Sequence, residues 1–123
     1  VLDSGALIAL VRNDRAVWAA IKLAAQRGTD VLVPSTALAQ VWRGAPGQAW
    51  LSKALVCCSI ASFDPLARAV GELCGRTKTT DICDAHVAIV AAAQGGALYT
   101  SDPLDMRRLL ASCAGKKPTL VPC

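Results

Sequence analysis

Five aspartates have the residue type and spacing for chemistry: Asp3 at the end of an apolar start, Asp81 and Asp84 at the head of "DICDAHVAIV", and Asp102 and Asp105 in "SDPLDM". They are five of only nine acidic residues, so acid is concentrated at a few places in the chain. Residues three apart share a helix face, so Asp81 points with Asp84 and Asp102 with Asp105. Carboxylates gathered without Arg or Lys between them repel one another, and a hard divalent cation, Mg2+ or Mn2+, relieves that repulsion through oxygen ligands alone. The same residues also read as helix starts. Asp102 precedes Pro103 with Asp105 in the first turn, and Asp81 caps a helix with Asp84 in its first turn; acids there gain about 0.3 to 1 kcal/mol from the helix dipole. Capping and cation binding are compatible roles. For Asp3 the sequence shows no capping role, and a carboxylate directly after "VL" in a buried strand needs a partner.

The elements that must position these acids follow from the hydrophobic pattern. "VLD" reads as a short strand running straight into the helix "SGALIALVRN", and "DRAVWAAIKLAAQRG" is helical with Gly28 as its stop. "DVLVP" is a β-branched strand closed by Pro34. "STALAQVWRG" is a helix with Ser35 as N-cap and Gly44 as stop, and "APGQAWLSKALVCC" gives a turn and a further helix. "SIASF" is a weaker strand, and "DPLARAVGELCGR" starts a helix with Asp64 as N-cap and Pro65 at the first helical position. After the polar "TKTT" come a helix over 81–94, the strand "GGALYTS", the helix "DPLDMRRLLASCAG" and the strand "PTLVPC". Strands alternating with helices predict an α/β fold, a mostly parallel sheet covered on both faces. Sites in such sheets form beyond the carboxyl ends of the strands. Asp3 and Asp102 both follow strands, and neighbouring strands would bring them to one crevice.

Composition narrows the class. The 123 residues suffice for one domain, 1–123, and not for two. Hydrophobic residues make up 54% of the chain, with a mean hydropathy of +0.42, but every apolar run is broken well short of a membrane span. Val1 is not an initiator, and "VLDSGALIAL" lacks the basic flank of a signal peptide, so a truncated or processed start is expected. A net charge of +4 suits a polyanionic partner, while five aromatic residues are too few for a base-stacking platform. Six cysteines occur without a C-x-x-C pair and with a single histidine, His86, which argues against zinc and for buried thiols in a cytoplasmic protein, Cys123 excepted. His86, two positions from Asp84, lies on another helix face and reads as a packed histidine rather than a general base. Trp18, Trp42 and Trp50 read as packing or interface anchors. Arg43, Arg76, Lys78, Arg107 and Arg108 divide evenly between contacts to RNA phosphates and solvated surface charge.

Taken together, "VLDSGALIAL", "TALAQVWRG", "DICDAHVAIVAAAQGG" and "LYTSDPLDMRRL", in that order over nearly the whole chain, resemble a PIN domain, specifically a VapC-type toxin ribonuclease. The resemblance implies a three-layer α/β/α fold with a mostly parallel central sheet. It also implies a Mg2+- or Mn2+-dependent endoribonuclease that hydrolyses RNA phosphodiester bonds, forms a homodimer and is blocked by a VapB-type antitoxin. Asp3, Asp84 and Asp102 match the family's catalytic acids, with Asp105 as a further metal ligand. Gln40 stands where the family usually has Glu, and a neutral amide adds no charge to a metal site. Glu72, the only Glu, and Asp81 are the candidates to compensate, and Ser4 and Ser101 are candidates to orient the acids beside them.

Gln40 motivates a second expectation, a degenerate PIN-like module that binds RNA or a protein partner without cutting. A phosphotransfer enzyme fits poorly: Gly5 stands where a second Asp would be expected, and no P-loop is present.

Overall fold

The computed structural model describes all 123 residues and mixes helices with short parallel strands. In chain order the elements are α1 (Ser4–Val11), α2 (Arg15–Gln26), β1 (Leu32–Pro34), α3 (Ser35–Val41), α4 (Ala49–Leu55), β2 (Ser59–Ala61), α5 (Ala67–Thr77), α6 (Ile82–Gln94), β3 (Ala97–Thr100), α7 (Pro103–Leu110) and β4 (Thr119–Pro122). Single 3-10 turns precede α4 and α5.

β1 pairs in parallel with β2, Leu32 opposite Ser59, and β3 pairs in parallel with β4, Ala97 opposite Thr119. The expected first strand is reduced to one parallel bridge, Leu2 with Tyr99. Its backbone nevertheless bonds in both directions. Leu2 N–H donates to Leu32 O at 3.0 Å, Asp3 N–H to Tyr99 O at 3.1 Å, and Tyr99 N–H to Val1 O at 2.9 Å. The strands are thus parallel, as alternation predicts, but they form two pairs with residues 1–3 bonded to both. The ladder is short at residues 1–3 because the backbone turns helical immediately after Asp3.

Each helix buries the stripe its sequence supplies. Ala6, Leu7 and Leu10 of α1 are fully buried, as are Val17 of α2 and Leu51 of α4. Burying a side chain of Leu size contributes about 1.5 to 3 kcal/mol. α6 is buried along most of its length, through Ala85, His86, Val87, Ala88, Val90, Ala91 and Ala92, and packs against α3, α5, α7 and β1. Its alanines allow that close approach on several sides. No helix is long and apolar enough to cross a membrane.

Several expected details move. Ser35 does not cap α3: Pro34 holds the cap position, and the Ser35 hydroxyl instead accepts the Phe63 N–H at 3.0 Å, bridging to the segment after β2. That helix ends at Val41, before Gly44. Asp64 opens a 3-10 turn rather than capping α5, because Pro65 follows at once and the turn tightens before the helix begins. The cysteines are free, Cys57 and Cys123 exposed and the other four half-buried, so none is the fully buried thiol expected. Cys58, Cys74, Cys83 and Cys113 pack against the edge of the core rather than within it.

His86 is the packed histidine its position predicts, with no exposed surface. Its Nδ1 shares a 2.7 Å hydrogen bond with the Thr36 hydroxyl across the α3–α6 contact, and its ring meets Phe63 edge-on. Burial lowers its pKa, with the Ser62 backbone partly opposing, and Nε2 has no hydrogen-bond partner. Replacing Thr36 with Val strips the ring of its remaining partner. The variant is expected to lose about 1 to 3 kcal/mol in urea unfolding, and an unchanged midpoint would show that the bond contributes nothing.

Candidate active site

The acids reach the site through helix starts. The backbone of Asp3 is extended (φ −84, ψ −177), the next residue begins α1, and the carboxylate caps that helix, Oδ1 accepting the Ala6 N–H at 2.9 Å. This corrects the expectation that Asp3 lacks a capping role: with no loop between strand and helix, the last strand residue is itself the N-cap. Its Oδ2 accepts the Ser101 N–H at 3.3 Å, and only 4% of the residue is exposed. One buried carboxylate thus joins the start of α1 to the end of β3.

Asp81 and Asp102 cap α6 and α7 as their spacing predicts, accepting the N–H of Asp84 at 2.9 Å and of Asp105 at 3.1 Å. Asp84 and Asp105 follow in the first turns, half-buried. The pKa of Asp84 is pushed up to about 7, first by burial, then by the charge of Asp81 and a hydrogen bond with it, and then by the charges of Asp105 and Asp3. Asp3, Asp81, Asp84 and Asp105 therefore share one field, and it reaches Cys83. Burial raises that thiol to about 11, the Thr36 hydroxyl opposes the rise, and Asp84, Asp81 and Asp3 add to it.

Asp102 is exposed and does not contribute to the shift of Asp84; it meets the group through its neighbour Ser101, whose N–H holds Asp3. Glu72 lies on the exposed face of α5 and adds no charge at Asp84, so of the two candidates to compensate for Gln40 only Asp81 stands with the acids. Gln40 is exposed on α3 and lines a depression of about 320 Å³ with Ser4, Ile8, Val11, Arg43 and Gln48. Ser4 sits between that depression and Asp3. No three acid, imidazole or thiol groups stand close enough to hold a metal ion between them.

The acids are not free of compensating charge, contrary to expectation. Arg108, one helical turn after Asp105, pairs with its Oδ1 at 3.0 Å, the sole ion pair in the chain. Arg76 and Arg43 also spend N–H groups on backbone, Arg76 on Ser112 O and Arg43 on the carbonyls of Ala39 and Trp42. Lys78 and Arg107 keep exposed side chains without a protein partner.

Two positions were not singled out for the site by motif reading. Arg108 is one: it is expected as an RNA-phosphate contact or a solvated charge, and its three-residue spacing to Asp105 is the signal for the ion pair it makes instead. Gly5 is the other: a Cβ there would overlap Ser101 Oγ and Ser101 Cβ, so only glycine lets α1 approach the end of β3. Gly5→Ala is expected to destabilise the chain by about 1 to 3 kcal/mol through overpacking, read by chemical denaturation. A neutral result would mean that Ser101 moves aside freely.

Comparison with protein-family models, with curated proteins and with solved structures gives no match for the chain.

The shift of Asp84 has a definite sign. The fold binds this proton more tightly than the unfolded chain does, so stability is fullest below the ordinary value of 3.8 and falls as pH rises toward about 7. Asp84→Asn removes the charge and keeps a donor for Asp81. We expect it to exceed the parent by roughly 1 to 2 kcal/mol at pH 8, after discounting a half-exposed group for solvent screening, and to match it near pH 4. Urea unfolding at the two pH values measures this, and equal stabilities at pH 8 would refute the crowding of the acids.

Proposed function

We propose that the chain is a metal-dependent endoribonuclease of the PIN-domain, VapC-toxin type, with a three-layer α/β/α arrangement in which β2, β1, residues 1–3, β3 and β4 act as one sheet. The observation that carries the reading is the crowding at Asp84. A carboxylate pushed to about 7, first by burial and then by Asp81, Asp105 and Asp3, marks a place where negative charge exceeds what the protein itself balances. Its neighbours offer oxygen donors, which suit Mg2+ or Mn2+. In the chemistry of their donors, then, the residues fit a divalent cation, although no three of them stand close enough to hold one between them.

In this reading Asp3, Asp84 and Asp102 hold the ion with help from Asp105. Bound there, the ion supplies Lewis acidity toward a phosphodiester and acidifies a water. Asp3 is the fixed member, because both of its oxygens are anchored by backbone N–H groups. Asp81 and Asp102 lie exposed at helix ends, where a change of rotamer gives up one capping bond. Ser4 and Gln40, on the depression beside Asp3, face approaching RNA, and Lys78 and Arg107 are free to meet phosphates. A second copy of the chain and a VapB-type antitoxin complete the proposed assembly, with the exposed Trp42 and Trp50 as candidate anchors.

A second reading, a PIN-like module that binds RNA or a protein without cutting, is favoured by one residue. Gln40 gives the α3 face no charge with which to draw a cation toward Asp3.

A mixed RNA pool incubated with the purified chain separates the two. Cleavage is expected with Mn2+ or Mg2+, is expected to stop with chelator, and should be lost in Asp84→Asn while that variant stays folded. Intact RNA with folded, metal-supplied, antitoxin-free parent would leave the binding module.

A further inference from the structure

Arg108 carries more than surface charge. Its Nε and Nη2 donate to Asp105 Oδ1 at 3.1 and 3.0 Å, and its Nη1 donates to Thr77 O at 2.9 Å. One planar guanidinium thus ties the first turn of α7 to the last residue of α5. Thr77 is also the point where the chain leaves α5, since Lys78 takes a left-handed conformation (φ 55) that a side chain adopts at some strain. Beyond Lys78, the Thr79 hydroxyl accepts the Asp81 N–H at 3.1 Å, and Asp81 caps α6. The Arg108 contacts therefore join the element that carries Asp105 to the connection that delivers Asp81 and Asp84. They occupy one oxygen of Asp105 and leave Oδ2 with no protein donor.

We propose that Arg108 is a positioning residue for the acidic site: by clamping Asp105 to the Thr77 carbonyl it sets the spacing between the α7 acids and the α6 acids. This rests on the proposed cation-binding role of those acids. The fork is the reason for arginine, because a lysine ammonium keeps the charge but lacks the planar geometry that grips a carboxylate and a carbonyl together.

The two roles open to a cation here predict opposite signs. If Arg108 acted only by its charge, removing it would tighten divalent cation binding, and Lys would substitute for it. As a positioning residue, its loss loosens the site, and Lys fails too. The test is Mn2+ binding by isothermal titration to the parent, Arg108→Ala, Arg108→Lys and a charge control on α2, Lys22→Ala. Alongside it, amide hydrogen exchange of the metal-free proteins is followed over residues 77–81 and 102–106.

Both Arg108 variants are expected to bind Mn2+ about tenfold more weakly, the low end of the range for residues that orient metal ligands. Faster exchange is expected in both segments, and Lys22→Ala should behave as the parent. Unchanged or tighter Mn2+ binding in Arg108→Ala overturns the proposal, as does weaker binding without faster exchange or full rescue by Lys. If the parent itself binds no Mn2+, the cation-site reading falls and this role falls with it. A parent that binds while Arg108→Ala binds equally well removes this role alone.

Discussion

The Asp3 carboxylate is the joint on which the rest depends. It is buried, and it is held by two backbone N–H groups from opposite ends of the chain, Ala6 in the first turn of α1 and Ser101 just past β3. A buried carboxylate is tolerated only with such partners. Around it the backbone of residues 1–3 bonds to Leu32 on one side and to Tyr99 on the other, so the two parallel strand pairs meet at this residue. Gly5 then permits the helix that Asp3 caps to lie against Ser101. Backbone bonds of residues 1–3 thus join the strands, and the Asp3 side chain joins the helix start to the segment after β3.

The same geometry explains why helix capping and a charged site coincide. Parallel strands followed by helices deliver N-termini to one edge, and each N-terminus favours an acid. Two such starts, those of α1 and α7, carry Asp3 and Asp102 as caps, and the start of α6, which follows α5 rather than a strand, carries Asp81, with Asp84 and Asp105 a turn inside α6 and α7. Each cap is locally favourable, yet at Asp84 burial, and after it the charges of Asp81, Asp105 and Asp3, push the pKa up. The local gains compete with a collective repulsion, which Arg108 offsets at Asp105 alone.

α6 is the packing counterpart of this edge. Its run of Ala and Val is buried against α3, α5 and α7, and His86 is drawn inside with them, its Nδ1 satisfied by Thr36. The packing of the body of the helix sets where its first turn, and with it Asp84, stands relative to Asp3. The small side chains that make the helix fit are thus also what hold the site.

Much of this was legible from residues alone. Hydrophobic periodicity marked the helices and strands, Asp-Pro and Asp-x-x-Asp spacing identified the caps of α6 and α7, and the order of elements implied parallel pairing, because these are properties of neighbours in the chain. Proximity between distant segments was not legible. The capping of α1 by Asp3, the Ser35 bond to Phe63, the need for Gly5 beneath Ser101 and the grip of Arg108 on Thr77 join residues whose nearness no local pattern encodes. By itself the sequence determined which acids exist and which helix ends they favour. Tertiary structure decided which of them share a field, leaving Glu72 outside it and bringing Asp81 in, because electrostatic coupling depends on distance and burial through space rather than on separation along the chain.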